Sequence, residues 1–499
     1  MTALPLDRRR LRLPRREVLL LVAIGLVAFA LRLQMAVRGG GLLGVGAYDD
    51  GVHYAAAASL LHGRLPYRDF LFLQPPGMVL AASPFAGIGG LLGDPVGLRA
   101  FRVAFQLVGA ANAVLVALVV RRWGVPAMLV GGIGYAVFFP AVYDERTALL
   151  EPVGTTGILL ALLLTRHGAS HRAHLVAGLA LGVACGFKIW YVVPALVVLA
   201  FAHGGRLRVL AGAVVAGLVV YLPFFAAAPA TMWAQVVLAQ AGRGRSDASG
   251  FLTRARTLLG AVGVHRHGAL PGVDVRALTI VLLLLVVAGL VIAVLTPGAR
   301  VIATMLVADW AVAQASPSFF AHYAGLTAPV LMLLLGVAVG RVVPLLKHRG
   351  AAAGAVTLTL VAVVALNARH DLERVDVRPP GAALQAAAAR IPGCIASDDP
   401  TLLAVMDVLS RDLDEGCPLR PDTGGYSFGP ERLEAAGGGL VGRRQNPGYQ
   451  RSTTDYLLDS AAFIRWRRNT ALNAESLDRL REQPVLAKHG IWTIRAGTR

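Results

Sequence analysis

The sequence predicts a polytopic α-helical membrane protein with about 11 transmembrane helices and a small C-terminal extracytoplasmic α/β domain. Three observations predict it. Of 499 residues, 56% are hydrophobic and only 15% charged, with a mean hydropathy of +0.62; a soluble domain carries roughly 25% charged residues. Apolar stretches near the ~20 residues that cross a bilayer recur along the first 367 positions. Positive charge gathers in the same region: residues 1–367 hold 30 Lys+Arg against 12 Asp+Glu, whereas 368–499 hold 18 and 17. An excess lodged between apolar segments orients helices, and no basic face on a soluble domain points to nucleic acid.

Taken in order, the basic run RRRLRLPRR at 8–16 anchors a first helix over 18–37 on the cytoplasmic side. No small-residue cleavage site ends this apolar stretch, so it reads as an anchor rather than a signal peptide. Further spans fall at 99–120, 124–141, 148–165, 173–187, 189–203, 207–228, 276–296, 300–316, 324–341 and 350–367. With the N-terminus inside, the cytoplasmic loops carry Arg121 and Arg122, Arg166 and Arg172, Arg206 and Arg208, Arg300, and Arg341, Lys347 and Arg349. That is the positive-inside pattern. The odd number of spans puts 368–499 outside. There Cys394 and Cys417 could pair, closing a loop worth about 3 kcal/mol in an oxidising compartment. Cys185 lies in an apolar span and reads as packing. Lysine is scarce beside abundant Ala, Gly and Arg, which points to a GC-rich bacterial source and hence a bacterial plasma membrane.

The chain thus divides into a transmembrane part, 1–367, and a soluble tail, 368–499. In the tail, IPGCIASDDP at 391–400 reads as a strand entering a turn, 401–410 as an amphipathic helix, and KHGIWTIRAG at 488–497 as a final strand. Three external loops remain: 38–98, 143–152, and 229–275 with RGRSD at 243–247 and HRH at 265–267. The last is too short for a metal site.

The first loop organises the rest. Tyr48–Gly77 opens with two adjacent carboxylates, Asp49 and Asp50, continues in a helical pattern, and ends at Pro75-Pro76-Gly77. It reads as an amphipathic shelf on the outer bilayer surface. Acids at a membrane are costly and usually functional. A second acidic cluster, Asp144, Glu145 and Glu151, falls on the same side. So do Lys188, at the break between two spans, and His322-Tyr323, at a helix start. Blander readings stand beside each: a helix cap or first-turn acid for Asp49, Asp50 and Glu151, snorkelling for Lys188, interface anchoring for His322 and Tyr323, and a structural partner for Asp309.

An acid pair after the first helix, an amphipathic loop ending in Pro-Pro, a second acidic loop and a basic residue after the fifth helix resemble the GT-C superfamily of membrane glycosyltransferases. Within it the chain is similar to the branch of aminoarabinose transferases and protein O-mannosyltransferases. The likeness covers about 1–367. It implies that Asp49 is the general base with Asp50 in the position of the family's Glu, that Asp144 and Glu145 match the second-loop motif with Glu151 at the helix start, and that Lys188 is the basic residue. His53-Tyr54 replaces the family's Arg-Tyr, and Gln74 replaces the Lys of Lys-Pro-Pro, removing a cation near the lipid phosphate.

The expected reaction moves a sugar from a polyprenyl-phosphate donor to a hydroxyl of a glycan, glycolipid or protein acceptor, with inversion. Lys188 would bind donor phosphate, helped by Arg146, His53 and Arg102, with His322 and Tyr323 beside it. No cofactor is required, although two adjacent acids could hold a divalent metal. The alternatives are a lipid or lipid-linked saccharide flippase, and an assembly protein working through its tail.

Overall fold

A computed structural model describes residues 14–38, 40–166, 168–243, 250–261, 274–346, 350, 376–436, 439–466 and 471–499. Helices occupy each expected span up to residue 342. The last span, 350–367, and HRH at 265–267 lie outside the described residues. Five described helices are long and apolar enough to cross a membrane: Arg15–Arg38 (α1), Asp94–Trp123, Arg206–Ala227, Val275–Leu295 and Ala321–Leu345. A sixth follows if Val125–Val137 and Phe139–Glu145 are one span bent by 54°. The bend has a cause: Pro140 has no N–H to continue the ladder, and Phe138 is extended before the helix restarts. Shorter apolar helices are Gly77–Leu92 (α3), Glu151–Leu164 and Ile189–Phe201.

The outward faces of Arg206–Ala227 and Val275–Leu295 expose Leu207, Val219, Leu284 and Leu295, which suits hydrocarbon. Between helices, small residues set the approach. A Cβ on Gly178 would lie 2.0 Å from the Val209 carbonyl oxygen, and one on Gly182 would lie 2.4 Å from that of Ala213. This Gly-x-x-x-Gly seam locks His171–Phe187 against Arg206–Ala227. The core also holds a buried network. Arg32 of α1 pairs with Glu145, and the other Glu145 oxygen accepts from Asn112 Nδ2 and the Tyr135 hydroxyl, both at 2.7 Å.

The first loop departs from the expected shelf. Asp49–Leu61 (α2) is a helix, but Asp50 through Ser59 are all buried. One side packs on α3, and the other is covered by the tail. A Cβ on Gly51 would lie 2.1 Å from Thr401 Oγ1, so glycine allows the tail to sit directly on α2. With Asp50 through Ser59 covered on every side, the helix has no face left for the bilayer surface, and the shelf reading fails for that reason.

The tail builds a four-stranded sheet in the order β1-β2-β4-β3: Ile395–Ser397 (β1), Ala462–Ile464 (β2), Val485–His489 (β3) and Trp492–Ala496 (β4). β1 and β2 are parallel, while β2–β4 and β4–β3 are antiparallel. The expected single end strand is therefore a hairpin, turning at Gly490 with φ +58°, where a two-residue turn favours glycine. The helix expected over 401–410 breaks into Pro400–Val405 and Leu409–Asp414, with Asp407 at φ +59° between them. Cys394 and Cys417 form a disulfide.

Candidate active site

Where α2, the membrane helices and the tail converge, they line a cavity of about 290 Å³. The sequence brings the expected site residues together from four places. Asp49 and His53 come from the first turns of α2. Glu151 opens the helix Glu151–Leu164, a position where its charge complements the helix dipole. Lys188 is the extended residue that ends His171–Phe187. His322 and Tyr323 precede the helix Ala324–Val342. Asp49, His53, Glu151, Lys188, His322 and Tyr323 all line the cavity.

Lys188 does not snorkel. Its Nζ donates to Glu151 Oε1 at 2.5 Å and sits 4.5 Å from the Tyr323 ring centre and 4.8 Å from that of Trp190. A buried ammonium held by one carboxylate and two rings is a fixed cation beside empty space. His53 Nδ1 lies 3.0 Å from the Ala148 carbonyl, so Nδ1 carries the proton and donates. Burial, the largest effect, pushes its imidazole below the ordinary 6.5, against the pull of that hydrogen bond and of the Asp50 charge. The ring is therefore neutral near pH 7.

Tyr48 positions Asp49. Its backbone has φ +55° and ψ −59°, a conformation that costs on the order of 1–3 kcal/mol unless the surroundings enforce it. Here they do: the Tyr48 hydroxyl donates to Asp422 Oδ1 at 3.0 Å and accepts from Gly424 N at 2.8 Å. The tail therefore sets the entry of α2.

Other expected site residues lie elsewhere. Asp50 is buried outside the cavity lining, taking Arg102 Nε at 2.6 Å, and Arg102 also donates to the Leu42 and Gly44 carbonyls. This pair ties the helix Asp94–Trp123 to α2 and to the loop before it. Arg146 pairs with Asp376 at 3.2 Å and stacks on Tyr143, so it joins the membrane part to the tail. Glu145 belongs to the Arg32 network. Asp144 is buried behind Gly325, whose Cβ would lie 2.0 Å from its Oδ2, and neither carboxylate oxygen has a hydrogen-bond partner among the described residues. Asp309 is likewise buried and unpartnered among them.

The cavity also holds residues that the sequence did not mark. Arg243 reaches the Tyr323 hydroxyl at 3.5 Å and stacks 4.6 Å from the Phe428 ring centre. Arg443 donates to Ser427 Oγ at 2.9 Å. Asp422, Phe428 and Arg443 all come from the tail, and Gln74 lines the cavity as well. RGRSD at 243–247 was the one available signal for Arg243; nothing local marks Arg443.

The one group of described residues with ligand atoms close enough for an ion is Asp412, Glu415 and Cys417. It does not fit, because Cys417 is in the disulfide and Asp412 bonds Ile395 N and Arg411. In the cavity, Lys188 already holds Glu151.

Fold and cavity define a helical membrane protein with a polar cavity beneath its tail. The chain is similar to ArnT from Cupriavidus metallidurans. Against the structure bound to undecaprenyl phosphate the identity is 16%, covering 97% of this chain and 98% of that one, with a TM-score of 0.59. Against the apo state the identity is again 16%, covering 96% and 98%, with a TM-score of 0.61. The Archaeoglobus fulgidus oligosaccharyltransferase in complex with Zn and sulfate matches at 13% identity over 89% of this chain and 67% of that one, with a TM-score of 0.53. No protein-family model matches the chain, and no curated protein matches it in sequence. The likeness to ArnT runs through the tail, which the sequence resemblance had left out.

Proposed function

We propose that this protein is a glycosyltransferase that moves a sugar from a polyprenyl-phosphate donor to an acceptor hydroxyl on the external side of a bacterial plasma membrane. The observation that carries this reading is the meeting of Asp49 with Lys188 in one cavity. The similar ArnT structure bound to undecaprenyl phosphate supports a lipid-phosphate donor.

The Asp49 carboxylate takes the proton of the acceptor hydroxyl as its oxygen attacks the anomeric carbon. The bond from that carbon to the phosphate oxygen breaks, and the lipid phosphate leaves with the electron pair. Fixed cations ease that departure, and Lys188, Arg243 and Arg443 supply them. Attack opposite the leaving phosphate inverts the sugar carbon. No step is routed through a metal. The positive-inside pattern and the disulfide support a cytoplasmic N-terminus and an external tail.

A flippase would also need intramembrane charge. One such pair, Arg32 with Glu145, is clamped by Asn112 and Tyr135 in packed core, which favours a static scaffold. The test is a screen of polyprenyl-phosphate sugars with purified protein, read by product mass. A glycosylated acceptor is expected. Translocation of lipid-linked sugar without transfer would overturn the reading.

A further inference from the structure

Behind the cavity lies a second, larger concavity of about 930 Å³ between the first loop and the tail. One thin wall separates the two. In the segment 69–74, Asp69 and Phe70 face the outer groove, while Phe72, Leu73 and Gln74 face the cavity. The turn at Thr423–Phe428 is divided in the same way: Tyr426 lines the groove, and Gly425 and Phe428 line the cavity. Leu71 seals the join, because Cβ atoms on Gly425 and Gly429 would lie 3.2 and 3.1 Å from its methyls.

The groove's chemistry selects a ligand class. Arg420 stacks between two rings, 4.5 Å from the Tyr426 centre and 4.9 Å from that of Tyr456, and is fixed by a 2.8 Å bond to Ser452 Oγ. With Arg420, Arg64 and Arg499 share the groove with Asp69, Asp455 and Asp459. The signs balance, so the groove offers no net field to a polyanion. Surface ion pairs, Asp455 with Arg479 and Asp459 with Arg499, beside tyrosine rings suit a neutral, hydroxyl-rich chain whose C–H faces pack on rings.

We propose that this groove binds the acceptor as an extended neutral glycan and presents its end to Asp49 over the Leu71 wall. The proposal rests on the transferase reading and names the acceptor class. It predicts that two adjoining sites act on one substrate, one holding the donor and the other the glycan.

The test uses full-length protein in nanodiscs, with neutral α-mannan and arabinan oligosaccharides as probes and saturation-transfer NMR as the readout. Wild type should bind at least one of these glycans. Tyr426→Ala and Asp455→Asn should each weaken that binding about tenfold or more and raise acceptor KM in step, leaving donor affinity unchanged. Leu71→Met, in the wall rather than the groove, should leave glycan binding intact. Absence of glycan binding, or binding indifferent to both groove variants, would overturn the proposal, as would preferential capture of unglycosylated peptides. Because glycan binding is read without turnover, failure of the groove and failure of the transferase reading give different patterns.

Discussion

The sharpest consequence of the cavity concerns Lys188 and Glu151. The pair is buried, with side chains 9% and 3% exposed and a contact of 2.5 Å. Replacing Lys188 alone with Met leaves a carboxylate buried without its cation, a loss of about 3–5 kcal/mol. Replacing Glu151 alone with Gln strands the ammonium at similar cost. Changing both removes two desolvated charges together and should return stability to within roughly 1 kcal/mol of wild type. Catalysis should not recover. Without the fixed cation, the leaving phosphate loses stabilisation worth on the order of 10²–10³ in turnover. Tryptophan-monitored thermal unfolding in detergent reads the first quantity, and turnover of a lipid-linked sugar reads the second. A stable double variant that turns over like wild type would refute the donor role and leave the pair a structural tie.

Other outcomes follow from the same structure. Tyr48→Phe deletes the hydroxyl that ties α2 to Asp422 and Gly424; turnover should fall several-fold while the unfolding midpoint moves little, since the lost bonds are worth about 1 kcal/mol each. Cys394→Ser with Cys417→Ser opens a loop of sequence separation 23 and should cost about 3 kcal/mol, seen as a lower unfolding midpoint that reductant reproduces in wild type. His53 has a folded pKa below its unfolded 6.5. The unfolded chain therefore binds that proton first, and stability should decline as pH falls below about 6.5. His53→Gln should flatten that part of a stability–pH curve, and an unchanged slope would show that His53 does not titrate with folding.

The sequence carried the membrane spans because length and hydropathy are local quantities; the bilayer imposes them residue by residue. It carried the disulfide, since Cys394 and Cys417 are the only cysteines of the tail. Asp49, Glu151 and Lys188 were legible as charges where charge is costly. The distinction between Asp49 and Asp50 was not, because neighbouring helix residues point about 100° apart and only the packed structure shows which one meets Arg102. Asp144 and Glu145 divide for the same reason: one is enclosed behind Gly325, and the other is bound by Arg32, a residue whose partner lies 113 positions away. The tail's share of the cavity was illegible. Arg443 and Asp422 sit in polar surroundings where such residues are common, and contacts distant in sequence, such as Thr401 on Gly51 and Asp422 with Tyr48, bring them to the membrane part. The shelf failed because exposure was inferred for α2 from position between spans, whereas its alanine-rich faces fit under the tail.

The most direct measurement compares turnover of a polyprenyl-phosphate sugar by Asp49→Asn and Asp50→Asn, each confirmed as folded by its unfolding midpoint. Asp49→Asn should lose about 10²–10⁴ in rate with donor still bound, while Asp50→Asn, whose carboxylate serves Arg102, should lose mainly stability. Full turnover by folded Asp49→Asn would contradict the assignment of this cavity as the place where the sugar is transferred.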